Sequence, residues 1–388
     1  MTTKLFDRFG RLFLASCLTL LAPLLFAITP APPELSAKGW ILVDADTGEI
    51  LVEHNANEQL EPASLTKMMT SYIVSKDVHE GKIGEQDMVP ISVRAWRMGG
   101  SKMFVREGTE VKLIDLLRGV IIQSGNDASV ALAEYVAGSE DAFADVMNQQ
   151  AQLLGMNNTN FENATGWPAE GHLTTAYDLS LLARALITDH PEHYAIYSEK
   201  YFKYNIDKPQ PNRNRLLWRD KSVDGIKTGH TEAAGYCLVA SAVRDGMRLI
   251  SVVMGTDSDE DRARESQKLL SYGFRYFESA RVFSAQEVLQ ENARVWYGEG
   301  EHINLIVAED TQLTVPYGAG KKLEIAVNSP ERIEAPIADG QQLGTVTVSY
   351  EGEVLKELPL VSDREIPEAG FFARLWDSIK LFFVGIFS

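Results

Sequence analysis

The strand-forming segments of this chain lie on either side of a long helical block, and that arrangement restricts the fold more than any other sequence feature. Trp40–Ala45 and Glu49–His54 flank Asp46-Thr47-Gly48 and read as a β-hairpin. After Pro62 the pattern turns helical and stays largely so to about residue 200. Apolar residues recur at 3.6-residue spacing in Leu113–Leu117, Ala128–Val136, Ala142–Leu154 and Leu179–Leu186. Thr175 with Asp178 three residues later forms a capping box at the start of the last of these. Strands return at Gly225–Thr228, Tyr236–Val243 and Arg248–Met254, the last two joined by the hairpin signal Asp245-Gly246. A helix is expected over Arg262–Phe277. Asp257, Asp259, Glu260 and Asp261 stand at its start, where the helix dipole favours negative charge. They do not form a calcium loop, because Arg262 occupies the position that requires Gly. If the first hairpin joins the later strands, the result is one antiparallel sheet carrying helices, an α+β domain over residues 37–280.

A chain of 388 residues accommodates a second domain and terminal extras. From about Val282 to Pro359, short β-type runs (Leu305–Val307, Leu323–Val327, Thr345–Tyr350, Val354–Leu358) alternate with Gly, Pro, Asn and Asp turns. This spacing predicts a small all-β domain over residues 281–362. It holds no ionisable cluster, so chemistry is expected in the first domain. The formal net charge of −17 excludes the basic footprint of a nucleic-acid-binding protein.

Both termini carry addressing signals. Lys4, Arg8 and Arg11 precede an apolar stretch from Leu12 to Ala27, which reads as a secretory signal peptide over residues 1–27. The stretch is short for a membrane anchor and is interrupted by Pro23. Cys17 does not mark a lipoprotein box, since the apolar run continues well past it. Residues 28–36 form a Pro-rich linker. Cys237 is then the one cysteine left, has no partner for a disulfide, and sits in an apolar run as a small buried hydrophobe. In residues 367–388, Phe372, Leu375, Trp376, Ile379, Phe383, Ile386 and Phe387 fall on one face of a helical wheel, and Arg374, Asp377 and Ser378 on the other. An amphipathic helix lying in a membrane surface is expected through residues 370–387; packing on its own protein is the alternative.

Three short motifs carry the chemistry. In Ser64-Leu65-Thr66-Lys67 the amine lies one turn from the hydroxyl on a shared helix face, with Pro62 suited to the helix start. Lysine serves as a base only if burial or nearby cations lower its pKa. Ser124-Gly125-Asn126 supplies a hydroxyl and an amide that can relay a proton and hold a carbonyl. Lys227-Thr228-Gly229 opens a strand: the lysine offers charge to a carboxylate, and the glycine allows a peptide backbone to approach. Each motif alone is weak, with a surface helix, a loop cap and an exposed edge strand as its ordinary readings.

In this order the three resemble the set shared by penicillin-binding proteins and class A β-lactamases. With Gly125 in the middle motif, the chain resembles the low-molecular-mass penicillin-binding proteins, the D-alanyl-D-alanine carboxypeptidases. The segments Pro62–Thr70, Gln123–Ala128, Pro211–Trp218 and Val223–Thr231 are all similar to that family's, as are a following β-rich domain and a terminal amphipathic anchor. The resemblance implies Ser64 as acylated nucleophile, Lys67 as general base, and Ser124 with Asn126 completing the proton relay and substrate contacts. It implies Lys227, Thr228 and Arg213 facing the terminal carboxylate of a D-Ala-D-Ala peptide, and the Ser64 and His230 backbone N–H groups as oxyanion hole. Gly229 lies among these substrate-binding residues. The resemblance further implies peptidoglycan stem peptides as substrate, covalent inhibition by β-lactams, no metal or organic cofactor, and a place on the periplasmic face of a bacterial inner membrane. Some relatives carry a His where Thr165 stands, which leaves the deacylating groups in the Asn163–Pro168 loop open.

Three other readings stand beside this one. A class A β-lactamase needs a deacylating Glu after the middle motif; Glu162 and Glu170 lie in that region without its Glu-x-x-x-Asn pattern. A penicillin-binding scaffold with a vestigial site would lack one of the motifs. A DD-endopeptidase would use the same machinery on cross-links.

Overall fold

The computed structural model describes residues 30–387, with side chains to residue 383. The expected signal peptide lies outside the described residues. A five-stranded antiparallel sheet has the order Ile50–His54, Gly39–Asp44, Met247–Thr256, Gly235–Arg244, Val223–Thr231. The opening hairpin therefore pairs with strands two hundred residues later: Trp40 faces Val253 and Leu42 faces Ser251.

Both faces of this sheet are covered, which explains its near-continuous apolar strands. Alternate side chains point to opposite faces. Ile41, Val43, Val239, Ile250 and Val252 enter the core under the helical block. Trp40, Leu42, Leu238, Ala240 and Val253 enter a second core under the helix Asp259–Tyr276. That helix starts three residues earlier than expected, because Ser258 caps it by accepting the Asp261 N–H at 3.0 Å. Asp257 apart, the acidic residues thus sit inside the first turn, where Asp259 pairs with Arg215 and Arg262. The Thr175 cap is also present, accepting from Asp178 N at 3.0 Å.

The helix Lys67–His79 runs through the first core and is buried from Lys67 to Ser75. Met68, Met69 and Val74 are fully buried. Each such side chain stabilises by roughly 1.5–3 kcal/mol, so two or three of them offset the cost of taking the Lys67 amine out of water.

From Phe277 to Ser362 the chain is β apart from one 3₁₀ turn, Gly320–Lys322. Phe277–Phe283 pairs with Thr311–Pro316, and a six-stranded sheet is built from Glu324–Asn328, Gln342–Tyr350, Glu353–Ser362, His302–Val307, Glu287–Trp296 and Ile333–Glu334. Its core of Val295, Ile303, Leu305, Ile333 and Leu360 shares no residue with the two cores of the first sheet. The sequence reading missed Phe277–Phe283, Glu287–Trp296 and Thr311–Pro316. In Glu287–Trp296 only Ala293 and Val295 are buried, and Gln290-Glu291-Asn292 interrupts the apolar residues, so the strand carries little periodic signal.

The final helix, Phe371–Phe387, turns its polar face inward. Asp377 accepts the Tyr297 N–H at 3.0 Å and pairs with Lys380 at 3.4 Å, and Arg374 pairs with Glu368. Phe372, Leu375, Trp376, Phe382 and Phe383 are exposed. None of the described helices is long and apolar enough to cross a membrane.

Candidate active site

The three motifs converge on one cleft of about 720 Å³, between the outer strand Val223–Thr231 and the helical block. Ser64, Ser124, Arg213, Thr228, Gly229 and His230 line it.

Ser64 does not stand in an α-helix as expected. It lies in a 3₁₀ turn, Ala63–Thr66, and the α-helix begins at Lys67. In a 3₁₀ turn residues i and i+3 eclipse, so the pair still meets: Lys67 Nζ is 3.0 Å from Ser64 Oγ. Ala63 enters the turn at φ +46, a conformation unfavourable for a residue with a Cβ. It is held by Leu65 N donating to Pro62 O at 3.1 Å and Thr66 Oγ1 donating to Ala63 O at 2.8 Å.

Lys67 is 1% exposed and also donates to Thr165 O at 2.5 Å. Burial, and secondarily the Arg213 guanidinium, lower its pKa from 10.5 to about 7, against the opposing pull of Asp127 and Glu140. A neutral amine is therefore well populated near neutrality. It can donate to Thr165 O while its lone pair receives the Ser64 proton.

Ser124 links the helices Leu113–Ile122 and Asn126–Ala137 in a left-handed conformation, φ +60, that aims its hydroxyl into the cleft. Lys227 Nζ donates to Ser124 Oγ at 2.9 Å and to Thr228 O at 3.1 Å. Lys227 is buried, not on the exposed edge its strand would suggest; desolvation and the cations Lys67, Arg213 and Arg262 hold its pKa well below the ordinary value. Among the described residues no carboxylate forms an ion pair with Lys67, Lys227 or Arg213, whose Nε donates only to Gln123 O at 3.2 Å. The cleft's lining carboxylate, Asp259, is paired with Arg215 and Arg262, so Arg213 faces the cleft as a cation without an ion-paired carboxylate, suited to an anionic ligand.

Two of the expected substrate-binding residues also hold the site together. Asn126 is not among the cleft-lining residues; its Nδ2 donates to Gly99 O at 2.8 Å and fastens the neighbouring loop. A Cβ on Gly229 would stand 2.9 Å from Pro62 O and 3.3 Å from the Ala63 Cβ. The missing side chain therefore lets the strand pack against the nucleophile turn at the edge of the cleft. His230 is exposed and stacks on Tyr236, with ring centroids 3.9 Å apart, so its imidazole is a wall of the cleft.

The loop Asn163–Pro168 completes the site through its backbone. Asn163 Oδ1 accepts from Thr165 N, Thr165 Oγ1, Gly166 N and Trp167 N, fixing the turn that presents Thr165 O to Lys67. His172, which carried no motif, joins this loop to the nucleophile turn: its Nε2 lies 2.8 Å from Thr66 Oγ1, and its Nδ1 accepts from Glu162 N at 3.1 Å. Since Thr66 gives its proton to Ala63 O, the ring donates through Nε2. Burial, then Lys67, lower its pKa to about 4, so it is a neutral strut. Arg262, also unanticipated, donates to Gly229 O at 3.0 Å and lies over Tyr236. Glu162 and Glu170 are exposed and do not line the cleft, and Glu162 accepts from Asn160 Nδ2 at 2.6 Å, so neither shows a contact with the nucleophile turn that a β-lactamase deacylation base would make.

Comparison with known proteins agrees with this geometry. Residues 27–258 match the model of the family described as D-alanyl-D-alanine carboxypeptidase, and residues 277–368 that of the penicillin-binding protein 5 C-terminal domain. The D-alanyl-D-alanine carboxypeptidase DacC of Escherichia coli is 45% identical over 376 residues, covering 94% of each chain. The solved penicillin-binding protein 5 of Haemophilus influenzae superposes with a TM-score of 0.82 at 41% identity, over 87% of this chain and all of that one. The ampicillin-bound penicillin-binding protein D2 of Listeria monocytogenes gives 0.58 at 30% identity, over 63% of this chain and all of that one. Ser64, Lys67, Ser124 and Lys227, in one cation-rich cleft, thus stand in a chain that belongs to the serine D-alanyl-D-alanine carboxypeptidase family of penicillin-binding proteins.

Proposed function

We propose that this carboxypeptidase removes the terminal D-alanine of a peptidoglycan stem peptide through an ester on Ser64. The observation that carries the assignment is the 3.0 Å approach of the buried Lys67 amine to the Ser64 hydroxyl. Neutral Lys67 takes the Ser64 proton as Oγ attacks the penultimate carbonyl. The oxyanion lies between the backbone N–H groups of Ser64 and His230. Ser124, hydrogen-bonded to Lys227, passes a proton to the leaving D-alanine amine and takes in its place the proton that Lys67 had accepted from Ser64, which leaves Lys67 neutral again; Arg213 and Thr228 hold the carboxylate of the leaving D-alanine. Lys67 then activates the water that cleaves the ester, a reading supported by the retirement of His172 and the glutamates as bases. A β-lactam, whose ring amide and carboxylate mimic the dipeptide end, would acylate Ser64 likewise.

The division proposed from composition, a catalytic part over residues 37–280 and a β-rich part over 281–362, is supported by the separate cores; the strand Phe277–Phe283, paired with Thr311–Pro316, runs across the proposed limit. We assign the enzyme to the outer face of the bacterial inner membrane, held by the exposed apolar residues Phe371, Phe372, Leu375, Trp376, Phe382 and Phe383 of the final helix.

The test is hydrolysis of a synthetic stem pentapeptide. Release of one D-alanine, abolished in Ser64→Ala and absent when the peptide ends in an amide, is expected. Cleavage of cross-linked dimers with no D-alanine released from the pentapeptide would replace this reading with an endopeptidase.

A further inference from the structure

A second cluster of functional side chains stands at the far end of the nucleophile helix. His79 closes that helix; His190 joins the helix Ala176–Asp189 to the short helix Pro191–Tyr194, whose first turn carries Glu192. One ring nitrogen from each histidine and a Glu192 carboxylate oxygen lie within 4.8 Å of one another. The decisive member is His190. It is 4% exposed, yet neither of its ring nitrogens has a hydrogen-bond partner among the described residues. Buried imidazoles are ordinarily satisfied, because desolvating a polar group without a partner is costly. The ring instead lies against Tyr72 and His79, with centroids 5.1 and 5.9 Å away. The Tyr72 hydroxyl is already committed to Asp189 Oδ2 at 2.8 Å.

We propose that His79, His190 and Glu192 bind a divalent transition-metal ion of borderline softness, zinc being the natural occupant. Two imidazoles and one carboxylate are a donor set that zinc favours, whereas calcium and magnesium require oxygen ligands. Zinc holds such ligands at about 2.0–2.2 Å, so the cluster must contract. His79 and Glu192 are exposed and can swing inward, while His190 supplies the fixed point. The 13-residue helix Lys67–His79 rises about 1.5 Å per residue, which places the ion roughly 20 Å of helix from Lys67. The ion takes no part in acyl transfer; it pins the end of the nucleophile helix to the Asp189–Pro191 junction.

The test uses the untagged full-length protein, stripped with chelator and titrated with zinc chloride by calorimetry. One zinc per chain is expected, with a rise in melting temperature that magnesium does not reproduce. His79→Gln and Glu192→Gln, both at exposed positions that leave folding intact, should each weaken zinc binding about 10-fold or more. Absence of saturable binding at micromolar zinc would overturn the site. So would stoichiometric binding that neither variant weakens, or that is lost in His193→Gln instead.

Discussion

Gly166→Ala probes the contact on which the site depends. Gly166 adopts φ +78, and a Cβ there would stand 1.7 Å from Ala63 O, 2.3 Å from Ala63 C and 2.9 Å from Thr66 Oγ1. The nearest atoms are backbone of the nucleophile turn, so no side chain can swing away. The left-handed conformation costs about 1–2 kcal/mol for a residue with a Cβ, and the overpacking about 1–3 kcal/mol more. Together these make roughly 2–5 kcal/mol, within the 5–15 kcal/mol that a folded protein commands. The variant should therefore fold, with its melting temperature lowered by roughly 5–15 °C. Relief requires the loop or the turn to move by more than an ångström, which separates Thr165 O from Lys67 Nζ and shifts Ser64. Misplacement on that scale costs up to about 100-fold in rate. Thermal unfolding and stopped-flow acylation by a fluorescent penicillin read the two effects. Wild-type melting together with a wild-type acylation rate would refute the packing argument.

Other outcomes follow from the same geometry. Because Lys67 acts unprotonated and its pKa is lowered to about 7, kcat/KM for peptide should fall tenfold per pH unit below about 7 and level off above it. A profile flat from pH 5 to 8 (about one unit or more to either side of that value) would remove Lys67 as base. Between pH 7 and the ordinary lysine value of 10.5, the unfolded chain binds a proton that folded Lys67 does not. Lys67 should therefore make stability rise with pH across that window, an increment that calorimetry should find missing in Lys67→Met. Arg213→Gln removes one charge-assisted contact worth about 1.5–3 kcal/mol, so kcat/KM should drop about 10- to 100-fold with folding intact; an unchanged value would dissociate Arg213 from the carboxylate. Truncation after Pro367 should release the protein from sedimenting membranes without changing peptide hydrolysis, and unchanged sedimentation would refute the anchor.

The sheet was legible because hydrophobic period and turn residues agreed in the same places, as at Asp245-Gly246 between two buried strands. The reactive residues were legible because their side chains do the chemistry, so Ser64, Lys67, Ser124 and Lys227 had to be those types. What stayed hidden acts through backbone or packing. Thr165 serves Lys67 with a carbonyl oxygen that any residue possesses. Gly229 reads as space for a ligand, and its packing against Pro62 and Ala63 is a second reason for glycine that no motif discloses. Asn126 belongs to a recognisable motif, but its amide binds Gly99, a partner no spacing rule indicates. His172 is a single histidine whose role exists only because two distant loops meet around it. The strand Glu287–Trp296 lacked periodicity because little of it is buried.

The central claim is that the Ser64 hydroxyl, activated by Lys67, forms the acyl-enzyme. Intact-mass analysis and peptide mapping after brief exposure to penicillin test it most directly. The account predicts one adduct per chain, located on the peptide containing Ser64 and lost in both Ser64→Ala and Lys67→Ala. An adduct on any other residue, or full-rate acylation in Lys67→Ala, would contradict it.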